Sequence, residues 1–146
     1  MRLVNGIQIN KAEIRTLIPH SGLMCLLDEV TQWDDRTIVC VTNTHRDPAN
    51  PLRRHGCLSA LHAFEYGAQA AAAHGALVSR MPSGAGVLAS VRNVVMHADR
   101  LDDVPGDLDV LAERLGGDES GVLYRFEVAS AGRVLVEGRV AVAFRR

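Results

Sequence analysis

The stretch from Leu58 to Ser79, LSALHAFEYGAQAAAAHGALVS, limits what this chain can fold into more than any other. It contains no proline and no cluster of turn residues. Ala70 to Ala73 are four consecutive alanines, and alanine is the best helix former. The sequence predicts an unbroken helix over Leu58 to Ser79, roughly 33 Å long at about 1.5 Å per residue. Gly67 and Gly75 weaken a helix interior, which points to a close packing contact at each. Leu58, Leu61, Glu65, Ala68 and Ala72 recur at helical spacing, so Glu65 falls on an apolar face, with Gln69 four residues on. A carboxyl there is costly unless it is paired, reaches a cleft or bends out to water.

The chain of 146 residues reads as a single domain, 1–146, large enough to bury a core without a metal or disulfide staple. Aromatic residues are only 4% of it, so that core must come mainly from Val, Leu and Ala. A net charge of −1 lacks the basic excess of a general nucleic-acid binder, and the few aromatics do not make a base-stacking platform. The three cysteines, Cys25, Cys40 and Cys57, are odd in number and form no CxxC pair, which fits neither a zinc site nor a disulfide framework. Cys25 and Cys40 sit in apolar runs and read as buried thiols. No histidine pair has a metal-ligand spacing with a third partner, and no metal is expected. No N-terminal apolar stretch is long enough for a signal peptide or a membrane span, and the expected compartment is the cytoplasm.

Residues 11–18 read as a short helix ended by Pro19. Met24 to Trp33 and the β-branched, alternating Thr37 to Thr44 read as strands forming a hairpin. Residues 45–57 (HRDPANPLRRHGC), with two prolines and a glycine, read as a loop into the long helix, and Met81 to Gly86 as the loop out of it. Val87 to His97, Leu108 to Leu115, Val122 to Ser130 and Arg133 to Phe144 read as strands, the last three an antiparallel meander. One helix and one antiparallel sheet make an α+β domain, and the sheet covers the helix only by curling around it.

These segments, in this order and spacing through most of the chain, resemble the hotdog-fold 3-hydroxyacyl-[acyl carrier protein] dehydratases. Leu17-Ile18-Pro19-His20 with Leu26-Leu27-Asp28-Glu29-Val30 is similar to the family's opening motifs. Glu65-Tyr66-Gly67-Ala68-Gln69 is similar to its helix motif, and Leu88 to Asn93 with Val104-Pro105-Gly106-Asp107 to its third strand and the following turn. The family's Gly-His-Phe-Pro-Gly is absent. In its place stands Asn50-Pro51-Leu52-Arg53-Arg54-His55-Gly56, with His55 ten residues before Glu65 (65 − 55 = 10), a shorter spacing than the family's. The chain looks most like a divergent dehydratase branch associated with polyene-type acyl chains.

The resemblance implies removal of water from a 3-hydroxyacyl thioester, which needs a base for the C2 proton, donors for the thioester oxygen and an acid for the C3 hydroxyl. His55 is the positional counterpart of the base, and neutral imidazole suits that role; His62, three residues before Glu65, is the alternative. Gly56 and Cys57, where the long helix is expected to begin, offer backbone N–H groups as oxyanion donors. Glu65 is the expected acid, favoured in its protonated form by an apolar helix face. Gln69 is expected to contact substrate, and Arg53, Arg54 and Arg92 to meet the phosphate of the phosphopantetheine arm. His20 is expected to be structural, and His74 and His97 to be surface or satisfied polar residues. No cofactor is expected beyond the phosphopantetheine that carries the substrate on acyl carrier protein or CoA. In this family the site lies at a dimer interface, which implies a homodimer or an assembly of dimers, with a heterodimer with another hotdog protein as a variant. Two other functions stay open: a non-catalytic acyl-binding partner subunit of another dehydratase, and an acyl thioesterase. Cys57, near a helix start, is a further candidate nucleophile.

Overall fold

The structure is a computed structural model and describes residues 8–18, 24–79 and 86–144. Pro19, His20 and the expected loop from Met81 to Gly86 lie outside the described residues, except Gly86, which opens a strand. Strand β1 (Ile9–Asn10) leads into helix α1 (Lys11–Leu17), whose start Asn10 and Glu13 close with a reciprocal capping box. The hairpin β2 (Glu29–Trp33) and β3 (Thr37–Thr42) follows, then helix α2 (Ala63–Ser79), the strand β4 (Gly86–Met96) and the meander β5 (Leu108–Gly117), β6 (Gly121–Ser130) and β7 (Arg133–Phe144). The seven strands form one antiparallel sheet in the order β1-β2-β3-β5-β6-β7-β4, curled around α2. Ala131 and Gly132, with φ of 51° and 79°, make the tight β6–β7 turn.

The long helix starts later than its composition suggests. Leu58 N–H donates to Asp102 Oδ1 (2.8 Å), Leu58 C=O accepts from Leu101 N–H (2.8 Å) and Ala60 N–H donates to Asp99 C=O (3.0 Å). Residues 58–60 are thereby paired to 99–102 and are not free to wind. A 3-10 turn at Ala60–His62, capped by Ser59, delivers the chain into α2. The Arg100 guanidinium beside Asp102 holds that carboxyl well below the usual carboxylate range and so keeps it ionised as the acceptor for Leu58.

The face of α2 that enters the core is also not the expected stripe. Ala63, Tyr66, Gly67, Ala70, Ala73 and His74 are buried against the sheet. Of the expected stripe, Leu61 is 49% exposed and Gly75 is exposed, Glu65 is half-buried, and Ala68 and Ala72 are half-buried at the margin of the core. Gly67 is required on the inner face, because a Cβ there would lie 2.5 Å from Phe126 Cγ. On the other side of the same ring, a Cβ at Gly138 would lie 3.0 Å from Phe126 Cε2. Phe126 is fully buried between these two glycines. Gly75 has open space where its Cβ would be, so the expected contact is not made there by the described residues.

His74 is not at the surface. It is fully buried and satisfied, with Nε2 2.8 Å from Asp34 C=O and Nδ1 2.6 Å from Tyr124 Oη. A carbonyl only accepts, so Nε2 carries the proton, and the neutral ring accepts the Tyr124 hydroxyl at Nδ1. Burial lowers its pKa, outweighing the pull of Asp34.

Two predictions follow from this packing. Gly67→Ala gains helix propensity but forces Phe126 off its position, with an expected net loss of about 1–3 kcal/mol in a urea melt. Because folded His74 resists the proton that the unfolded chain binds, stability should fall as pH drops below about 6.5. His74→Gln should flatten that slope, read from melts at a series of pH values.

Candidate active site

Glu65 lies in the first turn of α2, half-buried on the uncovered face, and makes no hydrogen bond or ion pair among the described residues. His62, in the 3-10 turn just before it, is also half-buried. Its Nδ1 is buried without a hydrogen-bond partner, and no hydrogen bond joins it to Glu65. The start of α2 and the turn just before it thus carry, three residues apart, a carboxyl and an imidazole nitrogen that are unengaged among the described residues.

His55 lies elsewhere, at the tip of an exposed tight turn. Arg54 N–H donates to Cys57 C=O (2.8 Å) and Cys57 N–H to Arg54 C=O (2.9 Å), with His55 and Gly56 at φ of 54° and 76° between them. These are the two positive-φ positions of a type I′ turn. The turn corrects the oxyanion expectation. Gly56 and Cys57 precede the first helical residue of the 3-10 turn, Ala60, so they present no helix N-terminus, and the Cys57 amide is already bonded to Arg54. The Gly56 amide makes no hydrogen bond among the described residues. Cys57 is exposed, while Cys25 and Cys40 are buried, and burial pushes the Cys40 thiol far up.

Gln69 is committed to the fold. It is 2% exposed, its Oε1 accepts from Leu26 N–H (2.9 Å) and its Nε2 donates to Met24 C=O. It pegs the 24–26 segment to α2 and has no amide group turned to a ligand. Arg53 is likewise not turned to solvent to meet a phosphate. Its two terminal nitrogens donate to His45 C=O and Gly56 C=O, both at 3.0 Å, stapling the ends of the 45–56 loop together. Its Nε is buried without a partner. Arg54 is exposed, with no side-chain partner among the described residues, and Arg92 is exposed on β4.

The loop stands on a buried polar network that the sequence did not reveal. Tyr66 Oη lies 3.1 Å from Thr44 Oγ1 and accepts from Asn50 Nδ2 (3.1 Å), which also donates to Thr44 C=O (2.9 Å). Thr44 and Thr42 hydroxyls both donate to Leu26 C=O, at 2.7 and 2.6 Å. Burial pushes the Tyr66 phenol up. Burial opposes ionisation of nearby Asp28 too, but Lys11 at 2.8 Å, Asn43 N–H and Thr42 outweigh it and hold that carboxyl below its ordinary value. Fully buried His45 donates through Nε2 to Val104 C=O (3.0 Å), and burial lowers its pKa. The loop is thus fixed to α2, to the 24–28 segment and to the turn at 104. No group of three His, Cys, Asp or Glu side chains able to hold a metal occurs among the described residues.

A curled antiparallel sheet around one long helix is the hotdog fold, which the chain shares with solved dehydratase and thioesterase structures. Over residues 12–145 the chain matches the ApeP-like family, ApeP dehydratase, and it belongs to that family. Among solved structures it is similar to the dehydratase heterocomplex ApeI:P from Xenorhabdus doucetiae, at 25% identity over 91% of each chain and a TM-score of 0.80. Zebra fish thioesterase superfamily member 2 matches at 14% identity, over 92% of this chain and 95% of that one, with a TM-score of 0.63. A mutant thioesterase from Pseudomonas aeruginosa matches at 13% over 78% of each, with a TM-score of 0.59. The last two share the fold alone. No curated protein matches the sequence.

Gln69→Ala leaves Leu26 N–H and Met24 C=O unpaired in the core. The expected cost is about 1–3 kcal/mol, seen as a lower midpoint in thermal or urea unfolding. A variant that unfolds like the parent and merely binds substrate less well would return Gln69 to the substrate.

Proposed function

We infer that this chain is a subunit of a hotdog dehydratase that takes water from a 3-hydroxyacyl thioester and leaves a trans-2-enoyl thioester. Its acyl group is carried on the phosphopantetheine of an acyl carrier protein or of CoA, in the cytoplasm, in the synthesis of polyene-type chains. The observation that carries this reading is the half-buried Glu65 carboxyl, unengaged on the open face of α2 with the unpartnered His62 Nδ1 beside its helix start, in a chain of a dehydratase family. An imidazole takes the C2 proton, and the electron pair moves toward the thioester oxygen. As the C2–C3 double bond forms, the C3–O bond breaks, and protonated Glu65 supplies the proton with which the hydroxyl leaves as water. The Gly56 N–H is the remaining backbone candidate for the thioester oxygen. His62 is the base available within one subunit, whereas His55, on its exposed turn, reaches such a site from a partner subunit. Exposed α2 surface at Leu61 and Gly75 supports assembly with a second hotdog subunit.

A second reading, a partner subunit that lends a half-site to another dehydratase, is supported by the similarity to a heterocomplex and by the distance of His55 from the helix start in sequence and exposure. Both readings are tested by incubating the purified chain with 3-hydroxyacyl carrier proteins, alone and with a second hotdog subunit, and following loss of one water by mass. Glu65→Gln should lower the rate about 10²–10⁴-fold with the fold intact. His62→Gln and His55→Asn separate the two bases, the true one giving the larger loss. Turnover only with the added subunit selects the second reading, and no dehydration under either condition sinks both.

A further inference from the structure

Asp102 and Asp103 are neighbours in the turn between β4 and β5, and they face different surroundings. The Asp103 side chain is 59% exposed, that of Asp102 only 6%. Asp102 Oδ1 accepts from Leu58 N–H (2.8 Å) and from Arg100 Nε (3.0 Å), and its Oδ2 meets the Arg100 guanidinium. Around this bond Leu58, Ala60 and Leu101 are fully buried, and Ser59 pairs with Arg100 as in an antiparallel sheet. The anchored residue, Leu58, lies in the chain between the two candidate imidazoles, His55 and His62.

Without that anchor the stretch would wind. Leu58, Ala60 and Leu61 are good helix formers, and neither proline nor glycine occurs from Leu58 to Tyr66. Ser59 is exposed, and its hydroxyl reaches Leu61 N–H at 3.2 Å, a weaker stop than a buried carboxylate at 2.8 Å. With 58–60 held straight, the chain must bend into α2 within a few residues, and it does so through the 3-10 turn. His62 N–H donates to Ser59 C=O (3.1 Å) and Ala63 N–H to Ala60 C=O. Ala63, at φ −58° and ψ −27°, still has 3-10 dihedrals. Residues three apart eclipse in a 3-10 helix and stand about 60° apart in an α-helix. The turn therefore carries the backbone of His62 toward the line of Glu65. An α-helix running back to Leu58 would rotate it away from that line and take the His62 Nδ1 from its buried place.

We propose that Asp102 is a positioning residue for the dehydration site: by accepting the Leu58 N–H it keeps residues 58–60 out of α2, and so sets where His62 stands relative to Glu65. This rests on the reading of Glu65 as the acid and His62 as the base.

The test combines nuclear magnetic resonance with kinetics. In Asp102→Ala the Leu58 amide should exchange with solvent about tenfold faster or more, and the carbon shifts of Leu58 and Ser59 should move from extended toward helical values. With a 3-hydroxyacyl carrier protein as substrate, and the second hotdog subunit present, this variant should lose about 10–100-fold in kcat, with KM within about threefold of the parent. Asp102→Asn keeps an oxygen for Leu58 and should recover most of the loss. Arg100→Ala leaves the carboxylate in place and should stay within about threefold of the parent. Circular dichroism checks the fold of each variant. Should Asp102→Ala not fold, Asp102→Glu, which keeps the charge but displaces the oxygen by one methylene, takes its place with the same expected changes. Unchanged shifts over 58–62 in the folded variant overturn the proposal. So does a variant that melts earlier yet turns over like the parent, or an Asn variant no faster than Ala. A parent that dehydrates nothing removes the reading of the site instead, and the chemical shifts still decide what Asp102 holds in place.

Discussion

The separation between helix and sheet is set by one aromatic ring. Phe126 fills the space between α2 and β7, and it fits because the residues facing its two sides, Gly67 and Gly138, have no side chains. With so few aromatic residues elsewhere, this ring and the Tyr66 and Tyr124 side chains are the largest fully buried groups around which the alanine-rich helix can be seated. The tyrosines add direction to that contact. Tyr66 hydrogen-bonds toward the loop after β3, and Tyr124 toward His74, so the rotation of α2 about its own axis is fixed by polar pegs as well as by shape.

That rotation decides which residues are left outside, and here the sequence was only partly legible. The antiparallel meander, its turn at Ala131-Gly132 and the existence of the long helix followed from alternation, turn residues and alanine content. The inward face of the helix did not. A helix apolar on nearly every side has little periodic signal, and the stripe through Leu61, Glu65 and Ala72 turned out to lie at or beyond the margin of the core. The start of the helix was hidden for a different reason: residues 58–60 are extended because distant residues 99–102 take their backbone hydrogen bonds. Gly67 and Gly75 look alike in sequence, yet only the first has a ring against it.

The candidate site shows the same division. Glu65 and His62 could be named from their spacing, although His62 lies in the 3-10 turn that precedes the helix carrying Glu65. Gln69 and Arg53 could be named but not assigned, since both hold backbone carbonyls or amides of segments far from them in the chain. The network of Tyr66, Asn50 and Thr44 had no signal at all, because none of the three residue types is unusual where it stands. What it does is immobilise the loop that carries His55, so that this imidazole is held at a fixed place on the surface.

The backbone at His55 has a consequence for how its role can be read. At φ of 54° the residue occupies the left-handed region, where a β-carbon is tolerated best when the side chain is Asn, Asp or His. Replacing it with alanine removes the imidazole and perturbs the corner that supports it in a single step. Loss of activity in such a variant would then mix two causes, whereas asparagine keeps the corner and removes only the chemistry.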